Sequence, residues 1–146
     1  MAATDRRHRT RSALRDADGW FRILAIDHRD SLRAFLAPHD PDSVAAATLT
    51  AIKVDLARAV LPFATGVMLE PEYSIPQLLD AGAVPPGVGF LAALEAQGYL
   101  ADPGAAPTTV LDGWSVAQAA ASGAAAAKLL LPYHPDHALA EHQEHV

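Results

Sequence analysis

The residue types that could do chemistry in this chain follow apolar runs that predict buried strands. Residues 23–26 are all apolar and lead directly into Asp27, His28 and Arg29. A near-continuous apolar run is typical of a parallel strand that is buried on both faces. Ionisable residues at the carboxyl end of such a strand stand where α/β enzymes keep their functional groups. The alternative is an ordinary strand end at which polar side chains return to water.

Lys128 gives a second chemical signal, because it interrupts the apolar segment 126–131. A lysine in that position either points into a polar interior or extends to water from a strand end. Burial lowers the pKa of an ammonium, and a lysine with a lowered pKa suits a Schiff-base nucleophile or a proton donor. An intact ammonium suits the binding of a phosphate or a carboxylate. Lys53 is the other lysine of the chain, and we predict it on the exposed flank of a helix as a solvated charge.

Asp27 and Lys128 lie on the first and fourth predicted strands, and in a closed barrel both would face the same opening. A carboxylate beside the lysine would keep it charged or pass a proton to an intermediate. Arg29 offers a planar, permanently charged group for a phosphate or carboxylate. The alternative for Arg29 is a surface ion pair.

The histidines near the end of the chain do not follow a metal-binding pattern. His142 and His145 are three residues apart and would share a helix face, but the order H-E-x-x-H is absent. We therefore predict no metal site, and a metal-dependent reaction is the weaker alternative. The tail residues that we considered as metal ligands are His134, His137, Glu141, His142 and His145.

The elements that must position these residues alternate between strands and helices. This alternation predicts a parallel sheet with helical crossovers, which is an α/β fold. We predict strands over residues 21–27, 66–69, 88–92 and 126–131, and helices over residues 31–36, 44–61, 74–81 and 116–122. The second helix carries an apolar stripe formed by Leu49, Ile52, Leu56, Val60 and Phe63. We expect Asp42 or Ser43 to cap that helix, and Ser115 to cap the last one.

Polar residues follow every predicted strand, and such a ring is typical of the mouth of a (β/α)8 TIM barrel. These residues are Asp27, Glu70, Glu95 and His134. A full barrel contains eight strand–helix units in about 250 residues. The chain, with 146 residues, supplies about the first four units. We expect a leader or short helix over residues 1–19 and the N-terminal half of a barrel over residues 20–146.

Composition excludes several other classes of protein. The chain has a net charge of −6 and no cysteine, so neither a disulfide framework nor a thiolate nucleophile is possible. Its first basic residues are not followed by a basic stripe, which argues against a nucleic-acid partner. No apolar run approaches the length of a membrane helix, and no apolar segment typical of a signal peptide follows the arginines. We expect a cytoplasmic protein without a membrane partner.

Five segments in order resemble the tagatose-1,6-bisphosphate aldolase family, a group of class I aldolases. The first segment, L-A-I-D-H-R-D-S-L at 24–32, resembles the motif of that family's first strand. The others are M-L-E-P-E-Y at 68–73, Leu94-Glu95 through Gly98-Tyr99, L-D-G-W-S-V at 111–116, and G-A-A-A-A-K-L-L-L-P-Y-H-P-D at 123–136. Aldolases for sulfofructose phosphate and for keto-deoxygluconate phosphate share parts of the pattern and stay open as alternatives.

The resemblance implies a barrel that cleaves a ketose phosphate through a lysine Schiff base and retains dihydroxyacetone phosphate. It places Asp27 and Lys128 at catalytic positions. We expect His28, Arg29, Glu72 and Glu95 to bind substrate, without any cofactor, in a protein that forms homo-oligomers. His28 stands where tagatose-bisphosphate aldolases commonly have glutamine, so the sugar stays open.

The same resemblance places the Schiff-base lysine on a later strand, in a K-V-E-type segment that lies beyond Val146. Lys128 is therefore expected to be a supporting lysine rather than the nucleophile. The chain alone is expected to lack the central residue of the mechanism. The alternative to an enzyme is a non-catalytic half-barrel that binds phosphorylated sugars or pairs with itself.

Overall fold

A computed structural model of the chain describes residues 14–97, 108–133, 135–136 and 140–145. In that part, four parallel strands form one sheet in the order β1-β2-β3-β4. The strands are β1 Ile23–Ala25, β2 Gly66–Leu69, β3 Gly89–Ala93 and β4 Ala126–Lys128. The helices are α1 Asp30–Leu36, α2 Ala46–Val60, α3 Ile75–Asp80, α4 Val116–Ala121 and α5 Ala140–Gln143. Two short 3-10 helices, Pro41–Ser43 and Leu61–Phe63, precede and follow α2.

This order confirms the predicted α/β fold, because each strand pairs with the next one along the chain after a crossover. It is the arrangement of the first four units of a (β/α)8 barrel. Within the described residues, β1 and β4 are the edges of the sheet. None of the helices in the described part of the chain is long and apolar enough to cross a bilayer.

Strands β1 and β4 are shorter than predicted, because side chains take over the ladder's hydrogen bonds at their ends. At the start of β1, the backbone N–H of Arg22 donates to Thr65 Oγ1 at 2.8 Å. Beyond the end of β4, the N–H of Leu130 donates to Glu95 Oε2 at 3.3 Å. Strand β2 has the predicted bounds.

The predicted apolar stripe of α2 is correct for Leu49 but wrong for Leu56 and Phe63, since the buried residues of this helix are Leu49, Lys53 and Ala57. Leu56 is 40% exposed, and Phe63 beyond the helix is 78% exposed. Residues four apart share a helix face, and that row contains a lysine, so apolar periodicity alone did not identify it.

The predicted caps differ in outcome between α2 and α4. Helix α2 begins after Ala45 without a side-chain cap, so the expected capping by Asp42 or Ser43 is wrong. The Ser43 hydroxyl donates instead to the carbonyl of Asp40 at 2.7 Å. Ser115 does cap α4, where its hydroxyl oxygen accepts the N–H of Gln118 at 3.2 Å, as predicted.

The hydrophobic core lies between the sheet and its helices. Val67, Leu69, Phe90 and Ala92 alternate along β2 and β3 and are completely buried with Leu78 of α3. Successive residues of a strand point to opposite faces, so the intervening residues form the other face. That second face would be the interior of a closed barrel. Asp27, Glu95 and Lys128 belong to it, because they continue the same alternation at the ends of their strands.

The segment before β1 packs against the opposite, amino-terminal end of the sheet. Leu14 is buried, and its carbonyl accepts the Thr65 hydroxyl at 2.7 Å. A Cβ at Gly66 would lie 2.8 Å from the ends of the Ile23 and Leu14 side chains, so a larger residue here would displace both of them. Residues 15–19 form turns and bends, and most of the leader or short helix expected over residues 1–19 lies outside the described residues.

Candidate active site

Lys128, at the end of β4, lies between two carboxylates that follow β1 and β3. Its Nζ is 2.8 Å from Asp27 Oδ2, after β1, and 2.5 Å from Glu95 Oε1, after β3. Asp27 is 101 residues away in the sequence, so the fold alone brings the pair together. The Lys128 side chain is 20% exposed, whereas those of Asp27 and Glu95 are 9% and 3% exposed.

Both members of the Asp27–Lys128 pair are held in their charged forms. Burial would lower the pKa of Lys128, but hydrogen bonds and charges from Asp27 and Glu95 outweigh it and raise that pKa above 10.5. Burial would raise the pKa of Asp27, but the hydrogen bond and charge of Lys128 outweigh it and hold that pKa below 3.8. Near neutral pH, Lys128 is therefore an ammonium that can donate a hydrogen bond or a proton.

Arg29 connects three strand ends and is itself 2% exposed. One terminal nitrogen donates to Glu72 Oε2 at 2.5 Å, and the other donates to the backbone carbonyl of Glu95 at 2.6 Å. Within the described residues its Nε has no hydrogen-bond partner. Arg29 therefore fixes the connection after β2 to the residue that follows β3.

His28 takes no part in the contacts described above, and it is exposed to solvent. It lines a cavity of about 350 Å³ together with apolar side chains of α1 and β1. The other residues of that cavity are Ala25, Ile26, Ser31, Leu32, Phe35, Lys53 and Leu56.

The prediction for Lys53 is wrong, because this lysine is buried rather than solvated. Its Nζ is 2.5 Å from Glu70 Oε1, and both side chains are 0% exposed. Burial is the largest influence on Lys53 and lowers its pKa below 10.5, although the charge and hydrogen bond of Glu70 oppose this. Its side chain also borders the cavity that His28 lines.

Glu70 also fixes the connection between β2 and α3. Its Oε2 accepts the backbone N–H of Glu72 at 2.7 Å and that of Tyr73 at 2.9 Å. The Ser74 hydroxyl accepts the N–H of Glu70 and donates to its carbonyl, at 2.8 and 2.7 Å. We did not predict Glu70 as a site residue, although its place after β2 was a signal for it.

Among the described residues, no group of three or more histidine, aspartate or glutamate side chains could hold a metal ion. His134 and His137 lie outside the described residues. His145 belongs to the described part, and its Nδ1 is 2.7 Å from the backbone carbonyl of Glu141.

Every cation of the site already contacts a carboxylate. Lys128 contacts Asp27 and Glu95, Arg29 contacts Glu72, and Lys53 contacts Glu70. Of these, the Lys128 pair is near solvent and can exchange a carboxylate contact for a ligand oxygen. This makes the space around Lys128 and Asp27 the candidate active site.

Comparison with known proteins identifies related aldolases. The profile of DeoC/LacD family aldolases matches residues 21–146. Over 138 residues, the chain is 31% identical to tagatose 1,6-diphosphate aldolase of Streptococcus agalactiae serotype V, covering 93% of this chain and 41% of that protein. The identity is 30% to the tagatose 1,6-diphosphate aldolase of Lactococcus lactis subsp. lactis, with the same coverage. It is 32% to that of Streptococcus pneumoniae strain R6, also with the same coverage.

The chain belongs to the DeoC/LacD family of aldolases, since that profile matches most of its length. The predicted resemblance is thereby confirmed. The chain spans 41% of the length of these curated relatives, and its four strand–helix units are a partial TIM barrel.

Proposed function

We propose that this member of the family forms the N-terminal half of a class I aldolase barrel. The proposed reaction is the cleavage of a phosphorylated ketose, such as tagatose 1,6-bisphosphate, through a lysine Schiff base, with release of dihydroxyacetone phosphate. The observation that carries the proposal is the contact of Lys128 with both Asp27 and Glu95 at the carboxyl end of the sheet. That end is where enzymes with this barrel bind their substrates.

Lys128 supports the reaction in this proposal and does not attack the substrate. A Schiff base begins with attack by a neutral amine, whereas the neighbouring carboxylates raise the pKa of Lys128. Its ammonium would donate a hydrogen bond to a substrate oxygen and a proton to the carbinolamine hydroxyl, which leaves as water when the Schiff base forms. Asp27 would take part in returning that proton. The attacking lysine is proposed to come from a later strand, as the resemblance implies.

The remaining predicted site residues divide between substrate contact and support. His28 lines the cavity beside β1 and is proposed to contact the substrate. Glu95 and Arg29 are proposed to shape the floor of the site, and Glu72, which is 36% exposed, is proposed to reach the ligand from the loop after β2. A cytoplasmic location is part of the proposal.

Borohydride trapping with dihydroxyacetone phosphate tests the role of Lys128. The chain has two lysines, so intact mass and peptide mapping assign any adduct to one position. We expect no adduct on Lys128, because its amine is protonated. A stable adduct there in folded protein would show that Lys128 is the nucleophile and that the proposed supporting role is wrong.

A chimera tests the reaction itself. Residues 21–133 would replace the matching segment of the Streptococcus agalactiae tagatose 1,6-diphosphate aldolase, and cleavage of tagatose 1,6-bisphosphate would be followed in a coupled assay. We expect activity that is lost in Lys128→Met. A folded chimera that cleaves only sulfofructose phosphate or keto-deoxygluconate phosphate would select those alternatives. A folded chimera inactive on all three would favour the non-catalytic half-barrel.

Self-association is a second candidate function, favoured by the exposed apolar surface beside β1. Phe35 is 80% exposed and Trp20 is 71% exposed. Strands β1 and β4 are the edges of the described sheet, and unpaired edges are templates for pairing with another chain. We propose that two copies associate through these edges as a homo-oligomer. A monodisperse monomer in light scattering, with a cooperative melting transition, would exclude this association.

A further inference from the structure

We propose that the buried Lys53–Glu70 ion pair is a positioning unit that sets the geometry of the Lys128 site. Neither residue faces solvent, since both side chains are 0% exposed. Neither is therefore a catalytic residue in the proposed reaction. The inference rests on the function proposed above for Lys128, but its test requires no substrate and no turnover.

A completely buried ion pair needs an explanation beyond stability. Removing two charges from water costs several kcal/mol per ion, and the attraction between them repays this only with good geometry and further hydrogen bonds. Apolar residues of similar volume are often as stable or more so. The Lys53–Glu70 pair is thus a costly way to fill the space beneath the site, and we look for its role in the contacts that it makes.

Those contacts determine the backbone after β2. Glu70 Oε1 contacts Lys53, while Oε2 accepts the N–H groups of Glu72 and Tyr73. A neutral side chain without a second acceptor oxygen could not satisfy both groups and the lysine. The conformation of the loop at residues 71–74 therefore depends on an ionised carboxylate, which Lys53 neutralises.

Helix α2 holds the same loop by two further contacts. The Thr50 hydroxyl donates to the carbonyl of Tyr73 at 3.0 Å. The Nζ of Lys53 lies 5.9 Å from the centroid of the Tyr73 ring, within the range of a cation–π interaction. The turn of helix that carries Lys53 is thus attached to the loop by side-chain and backbone contacts.

The loop in turn leads to Lys128 through two residues. It presents Glu72 to Arg29 at 2.5 Å, and Arg29 holds the backbone carbonyl of Glu95 at 2.6 Å. The carboxylate of Glu95 then contacts Lys128 at 2.5 Å. Each link is an ion pair or a charge-assisted hydrogen bond, so displacement of the loop would move Glu95 and weaken its hold on Lys128.

The test is the titration of Lys128, read by NMR of protein labelled with [ε-13C]lysine. The decisive variant is the double substitution Lys53→Met and Glu70→Leu, which removes both charges with little change in volume and leaves Lys128 as the remaining lysine. We expect it to fold, because apolar replacement of a whole buried pair is tolerated. It removes the acceptor for the two loop N–H groups, so the loop loses its restraint.

In that variant we expect the pKa of Lys128 to fall by at least about half a unit, which raises the neutral fraction about threefold. Leu78→Ala is the control, because Leu78 is completely buried in the core but makes none of the contacts described here. We expect Leu78→Ala to lower stability towards urea and to leave the titration of Lys128 unchanged.

Two results would overturn the inference. One is a folded double variant in which Lys128 titrates as in the wild type, which would make the pair merely structural. The other is an equal shift in Leu78→Ala, which would attribute the effect to general loosening. Lys53→Arg, which keeps the charge, is expected to restore most of the wild-type titration. Failure of the trapping or chimera experiments would leave these readouts unaffected, so the two proposals can fail separately.

Discussion

Two ammonium–carboxylate clusters lie at the carboxyl end of the sheet, and they differ in how completely the protein encloses them. Lys128 has two carboxylate partners and is 20% exposed, whereas Lys53 has one partner and is 0% exposed. The pKa of Lys128 is raised and that of Lys53 is lowered. The number of partners and the degree of burial thus decide the direction of each shift, and only the Lys128 cluster is open to a ligand.

The largest expected effect comes from a substitution in the closed cluster, which is the completely buried pair of Lys53 and Glu70. Lys53→Met leaves the Glu70 carboxylate buried without its cation, and loss of one partner of a buried pair costs about 3 to 5 kcal/mol. Urea unfolding measures this loss in stability. We expect the double variant with Glu70→Leu to recover part of it, because that variant also removes the acceptor for the N–H groups of Glu72 and Tyr73. If Lys53→Met lowered stability by less than about 1 kcal/mol, a range typical of exposed pairs, the two clusters would not differ as described.

Some features of the two clusters could be predicted from the sequence. Strand β2 was found with its full bounds, because four apolar residues stand between a polar threonine and a glutamate. Asp27 and Lys128 were expected to face one opening, because they end the first and fourth predicted strands of a barrel. In each case the signal lies in residues that are close in sequence or in a general property of the fold.

The burial of Lys53 could not be predicted in that way. A lysine on a helix is normally exposed, and its partner Glu70 lies 17 residues further along the chain. Apolar periodicity therefore selected Leu56, although the buried row continues from Lys53 to Ala57. The useful signal would have been the glutamate after β2, which needs a cation because it stands at the end of a buried strand.

A smaller effect is expected from Lys128→Met. This substitution removes the cation of the open cluster, which consists of Lys128, Asp27 and Glu95. We expect the free energy of unfolding to fall by about 1.5 to 3 kcal/mol near neutral pH, the range for hydrogen bonds to charged groups. The pH dependence sharpens the contrast. Because the pKa of Lys128 is raised above 10.5, its contribution to stability is complete below 10.5 and is lost as pH rises through its folded-state pKa.

Lys53 has the opposite dependence, since its pKa in the folded state lies below 10.5. The unfolded chain then binds more protons, so stability increases with pH up to 10.5. In Lys128→Met this contribution of Lys53 remains. The measurement is urea unfolding of the wild type and Lys128→Met from about pH 8 to pH 11. We expect the difference between their free energies of unfolding to stay constant up to pH 10.5 and to decrease above it. A difference that grew with pH would contradict the raised pKa of Lys128.

The smallest expected effect concerns the link between the clusters. Glu72→Gln weakens the contact with Arg29, and because Glu72 is 36% exposed we expect a loss of about 1 kcal/mol or less. In a double-mutant cycle with Lys128→Met, we expect a coupling of about 0.5 kcal/mol, since Arg29 and Glu95 connect the two positions. Asp16→Asn provides the control, because the Asp16–Arg22 pair lies before β1, at the other end of the sheet, and its effect should be additive with Glu72→Gln. The contrary result is a negligible coupling energy both for Glu72→Gln with Lys128→Met and for Glu72→Gln with Asp16→Asn. It would mean that the open and closed clusters act independently, although they lie at the same end of the sheet.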